Sequence, residues 1–120
     1  MGAIVKICGL RKADHVDAAV EAGAGLTGFV FFAPSPRNID IAHAASLTAR
    51  VPAGVRKVAL SVDAEDDFLA AIVDGAGVDT LQLHGSESVE RVAHVRNRFG
   101  LPVIKALPVS SAADIEAARA

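Results

Sequence analysis

The 120-residue sequence carries 12 Lys and Arg against 14 Asp and Glu, and its residues are 52% hydrophobic but only 4% aromatic, with neither Trp nor Tyr. Charge of both signs without runs leaves no electrostatic footprint for nucleic acid or an anionic membrane, and a single cysteine excludes an internal disulfide and a cysteine metal cluster, in keeping with a reducing compartment. The length suits one domain, residues 1–120, whose core has to be assembled from Val, Ile, Leu and Ala in layers of strand and helix.

The chain opens on an apolar run at residues 3–7. It has no charged leader with a long apolar core and a cleavage site, and no stretch approaches the ~20 residues that span a bilayer, so a soluble cytoplasmic protein is expected. Val16, Ala19 and Val20 then form an apolar stripe at helical spacing that stops at Gly23. A second apolar run, 27–31, leads into a loop with two prolines, after which Asp40 is suited to cap a helix over 41–50. Following a third run at 55–62, Phe68, Ala71 and Ile72 repeat the i, i+3, i+4 spacing. The fourth run, 79–83, precedes a helical pattern through Val89, Val92, Ala93 and Phe99 that ends at Gly100. Residues 102–106 make the fifth run, and 110–120 read as a last helix. Five short, nearly continuous apolar runs alternating with helices, at roughly 25 residues per unit, indicate a parallel sheet covered on both faces.

Two architectures share this pattern. One is a complete five-stranded flavodoxin-like sheet; the other is a (β/α)8 barrel, typically ~250 residues, of which these would be the first five units. Both place ligands at the C-terminal ends of the strands, so the residues there carry the functional reading. Cys8, followed by Gly9, ends the first run. A lone cysteine is commonly a small buried hydrophobe, whereas a strand-end thiol is also placed to act as base or nucleophile. Arg37 follows Pro34 and Pro36, which stiffen its loop, and a guanidinium there is suited to grip a carboxylate or phosphate, although taken alone a solvated loop arginine is the simpler reading. Gln82 and His84 alternate with Leu81 and Leu83, which turns both polar side chains to one side of the fourth strand, as a hydrogen-bonded pair or as ligand contacts. Asp63 and Lys105 invite comparison with receiver domains, but those need an acidic pair after the first strand to hold Mg²⁺, where this chain has Cys8-Gly9.

Taken together, the stretches KICGL at 6–10, EAGAGLTGFVFFAPSPRNI at 21–39, LSVDA at 60–64, DTLQLHGSES at 79–88 and PVIKAL at 102–107 resemble the phosphoribosylanthranilate isomerase family of tryptophan biosynthesis, in its order and spacing. The resemblance implies an α/β fold made of the N-terminal five βα units of a (β/α)8 TIM barrel, the C-terminal three units being absent. It implies an Amadori rearrangement of N-(5′-phosphoribosyl)anthranilate, an aminoaldose, to an aminoketose, with no metal or organic cofactor and a phosphorylated small molecule as partner. On this likeness Cys8 is the general base that takes the C2′ proton, Arg37 faces the anthranilate carboxylate, and Gln82 and His84 line the pocket. The family's general acid, an aspartate after the sixth strand, and its phosphate-binding loops have no counterpart here, and neither Asp63 nor Asp114 matches by motif. The 120 residues by themselves are therefore expected to be inactive and to self-associate through open sheet edges. Two alternatives stand beside this reading: a non-catalytic half-barrel that pairs with itself, and a related phosphate-binding barrel enzyme.

Overall fold

Val, Phe and Leu in short runs form strands, and polar caps followed by apolar stripes form helices, across residues 4–106, which the computed structural model describes. The order is β1 (Lys6–Ile7), α1 (Ala13–Glu21), β2 (Leu26–Phe31), α2 (Ile41–Thr48), β3 (Arg56–Ser61), α3 (Asp66–Gly75), β4 (Thr80–Leu83), α4 (Val89–Phe99) and β5 (Val103–Lys105). The helix expected over 110–120, with Asp114, lies outside the described residues. The first strand is shorter than its apolar run suggests, two residues in place of five.

Each strand pairs in parallel with the next, giving the spatial order β1-β2-β3-β4-β5. A flavodoxin-like sheet places its first strand between the second and third, so this sequential winding excludes that architecture and is the winding of a TIM-barrel-like fold. The register aligns Gly28 with Val58 and Val58 with Thr80, and aligns Val30, Leu60, Gln82 and Ile104 in turn. Those residues share one face. The opposite face carries Phe29, Phe31, Ala59, Leu81 and Leu83, which pack with Val16, Ala44, Leu47, Leu69, Ile72 and Val95 from the helices into the main core.

Local signals fix the helix ends. The Asp40 side chain accepts a hydrogen bond from His43 N at 2.7 Å, Ser88 accepts from Arg91 N at 3.1 Å, and Gly100 takes the left-handed conformation that closes α4. Two stripes are met in part: Ile72 is buried and Val92 and Phe99 pack against the core as the spacing suggests, but their other members are not. In α3, Leu69 is buried while Phe68 and Ala71 are exposed; in α4, Val95 is buried while Val89 and Ala93 are exposed. Among the described residues no helix is long and apolar enough to cross a membrane.

Candidate active site

Cys8 follows directly on β1 and shares the Lys6 side of that strand. The strand leaves the sheet immediately afterwards: Gly9 N and Leu10 N both donate to Gly28 O at 3.0 Å, and Gly9 turns with φ +79°, a conformation open to glycine. The thiol lies over Gly28 of β2, on the face away from the helices. A Cβ added at Gly28 would stand 2.9 Å from Cys8 Sγ and 3.0 Å from Cys8 Cα. Cys8 is exposed, so it is not the buried packing residue that its composition alone allows.

Arg37 is brought to the same point by the loop after β2. Ser35 N donates to Phe32 O at 2.9 Å, Arg37 N to Ser35 Oγ at 3.1 Å, and Ile39 N returns to Val30 O at 3.0 Å. The neighbouring loop braces it, because Arg11 Nη1 donates to Pro36 O at 2.9 Å. The arginine stem lies across Gly9: a Cβ there would come within 2.5 Å of Arg37 Cδ. Two glycines thus provide room at one strand end, Gly28 for the Cys8 sulfur and Gly9 for the Arg37 stem.

Gln82 and His84 occupy the same sheet face on and after β4. Gln82 is nearly buried, and its Oε1 accepts a hydrogen bond from Lys6 Nζ on β1. In a flat sheet β1 and β4 would stand about 14 Å apart, three strand spacings, so this bond requires the sheet to curl into a trough with both residues on its concave side. His84 is exposed; its backbone N donates to Ser61 O at 2.8 Å, which holds the end of β4 against β3.

Asp63 and Lys105 belong to a brace behind this rim. The Glu87 side chain, only 3% exposed, accepts from Lys105 Nζ at 2.7 Å, from Gly85 N at 2.8 Å and from Asp63 N at 2.9 Å. Asp63 Oδ1 in turn accepts from Ser86 N at 2.8 Å, and Lys105 Nζ also donates to Gly85 O at 2.5 Å. Burial pushes the Glu87 carboxyl up, but the Lys105 ammonium and the backbone N–H groups outweigh it and hold the group below its ordinary value. The brace ties the ends of β3, β4 and β5 into one unit. Among the described residues no three metal-ligating side chains converge.

The sequence profile of N-(5′-phosphoribosyl)anthranilate (PRA) isomerase matches residues 5–120. The chain belongs to the phosphoribosylanthranilate isomerase family. N-(5′-phosphoribosyl)anthranilate isomerase of Rhodospirillum rubrum is 56% identical over 119 residues, which cover 96% of this chain and 55% of the relative. Phosphoribosyl anthranilate isomerase from Thermotoga maritima superposes with a TM-score of 0.91 at 32% identity, over 98% of this chain and 56% of its own. A crystal structure of phosphoribosyl anthranilate isomerase in complex with reduced 1-(o-carboxyphenylamino)-1-deoxyribulose 5-phosphate matches equally well, with a TM-score of 0.91 at 32% identity over 98% of this chain and 59% of the other. The chain spans about half the length of the curated relatives it matches.

Within this isomerase-family chain, two participants were not marked by sequence reasoning. Glu87 is one of many surface-type acids in the sequence, and only its contacts distinguish it. Lys6 alternates with Cys8, a signal that was present, but its partner lies 76 residues away on a strand that is not its neighbour.

Proposed function

We propose that these residues form the first five βα units of a (β/α)8 barrel, residues 1–120 forming part of that single domain, and that the complete protein isomerises N-(5′-phosphoribosyl)anthranilate in the cytoplasm. The observation that carries this reading is the exposed Cys8 thiol lying over Gly28 beside the Arg37 stem on Gly9, at the strand ends where barrel enzymes do their chemistry. The ligand in the crystal structure of the similar isomerase unites a carboxyphenyl group with a sugar phosphate, which supports a phosphorylated small molecule as the partner here.

In this reading Arg37 holds the anthranilate carboxylate by paired, charge-assisted hydrogen bonds. An acid supplied from outside the described residues protonates the furanose oxygen, the C1′–O bond breaks and an iminium forms between C1′ and the anthranilate nitrogen. The Cys8 thiolate removes the C2′ proton, and the electron pair of that C–H bond neutralises the iminium to give an enolamine. Tautomerisation then yields the ketose, with no net gain or loss of atoms. Gln82 and His84 line the trough and contact the sugar. No residue here is required to hold a cofactor.

The test is Cys8→Ser in the complete protein, followed by the loss of substrate fluorescence. Removal of a general base should lower kcat by about 100-fold or more while KM changes little. An unchanged kcat would return Cys8 to a bystander's role.

A further inference from the structure

We propose that Lys6 is a positioning residue that sets the polarity of Gln82, so that the trough presents an amide N–H donor, and hence selects an oxygen acceptor on its ligand, at that point. The inference deepens the isomerase reading and rests on it. It starts from the bond between Lys6 Nζ and Gln82 Oε1 that crosses the concave face from β1 to β4. An ammonium has three donors and no acceptor, so the amide group facing it has to be the oxygen. An amide rotated by 180° would set its NH2 against the ammonium, donor against donor. Lys6 therefore removes the two-fold ambiguity that leaves most glutamine side chains free to turn either way.

The rest of the amide follows from its planarity. With Oε1 committed to β1, Nε2 projects along the other branch. Among the described residues it donates to no protein group, yet it is absent from the sealed-off, unpartnered polar atoms, which there comprise Ser61 Oγ alone. The nitrogen is therefore not sealed off among the described residues, although the residue as a whole is only 9% exposed. A nearly buried donor on the concave face is costly to leave unpaired and binds an oxygen acceptor in preference to a donor. Its strand mates fit this purpose: Lys6 stands two residues before Cys8, and Gln82 two residues before His84, so the pair forms the floor beneath the groups assigned to chemistry. The acceptors on an aminoaldose phosphate are hydroxyl, ring and carboxylate oxygens.

Three variants of the complete protein separate the roles, with binding of reduced 1-(o-carboxyphenylamino)-1-deoxyribulose 5-phosphate measured by calorimetry beside kcat and KM. Lys6→Met removes the ammonium and should weaken analogue binding about tenfold or more, the size of one hydrogen bond to a buried or charged partner. Gln82→Glu keeps an acceptor for Lys6 but replaces the N–H donor with a second oxygen, and should weaken binding at least as much while the melting temperature is held. Lys6→Arg retains a donor and should recover most of the affinity. Equal binding by Gln82→Glu and the unmodified protein would overturn the proposal, as would full affinity in Lys6→Met. Loss in Lys6→Met without recovery in Lys6→Arg, or with a collapsed melting temperature, would make Lys6 a structural residue only and count against it. Because the analogue needs no proton transfer, a failed Cys8→Ser test leaves these arms readable; if the unmodified protein does not bind the analogue, the isomerase reading falls and this one with it.

Discussion

A methyl group at position 28 would occupy the space that Cys8 uses, 2.9 Å from its sulfur and 3.0 Å from its Cα, and the latter belongs to a backbone pinned by two hydrogen bonds to Gly28 O. A flexible side chain could swing away; this one cannot without moving the end of β1. Gly28→Ala should therefore destabilise the complete protein by about 1–3 kcal/mol, the ordinary cost of overpacking, and also displace the thiol. Turnover and the rate of Cys8 alkylation should both change, while Gly54→Ala, whose added carbon meets nothing within 4 Å, should leave both untouched. Equal behaviour of the two variants would mean that the thiol does not depend on the glycine beneath it. The sequence made Cys8 and Arg37 visible as strand-end groups of one expected pocket, but not the vacant space at Gly28 and Gly9 that their side chains use, because an absent side chain leaves no chemical signature of its own.

Between elements, the helices α3 and α4 are clamped by a single carboxylate. Asp66, at the start of α3, accepts from Arg91 Nη1, from His94 Nε2 at 2.8 Å and from Arg98 Nη1 at 3.0 Å, all on α4. The hydrogen bonds from His94 and then Arg91 hold its pKa down at about 2, below the ordinary carboxylate value of 3.8. A depressed carboxylate pKa means that the folded state binds the proton less readily than the unfolded chain, so the stabilisation is complete above the unfolded value and drains away as pH falls from about 4 toward 2. Asp66→Asn should lower the melting temperature by a few degrees at pH 7, and the gap to the unmodified protein should close as the medium is acidified through that window. A gap independent of pH would assign the loss to packing. Element order was readable because strand runs and helical stripes repeat cleanly, whereas their partners were less so. Phe68 and Val89 satisfy helical spacing as well as Leu69 and Val95 do, but the turn of each helix on the sheet chooses the second set. Strand order was also beyond local pattern, since an apolar parallel strand reads the same in a flavodoxin-like sheet and in a barrel.

At the scale of the molecule, among the described residues β1 pairs only with β2 and β5 only with β4, so each presents a row of backbone donors and acceptors on its outer side. Apolar side chains accompany them: Ile4 is 76% exposed, Val5 53% and Ile104 37%. Free strand edges beside apolar surface recruit further strands from whatever chain is at hand. In the proposed barrel the remaining units would occupy both edges and cover the concave face. Met1–Ala120 produced by itself should instead associate in a concentration-dependent manner in sedimentation experiments and show no turnover. Co-expression with a separate chain supplying the other three units of the proposed barrel should suppress that association and restore activity, since in that reading the acid and the edge partners arrive together. A monodisperse, monomeric Met1–Ala120 with slow amide exchange along β1 and β5 would show that these edges are satisfied within the chain, and the eight-unit barrel would then no longer be needed to explain them.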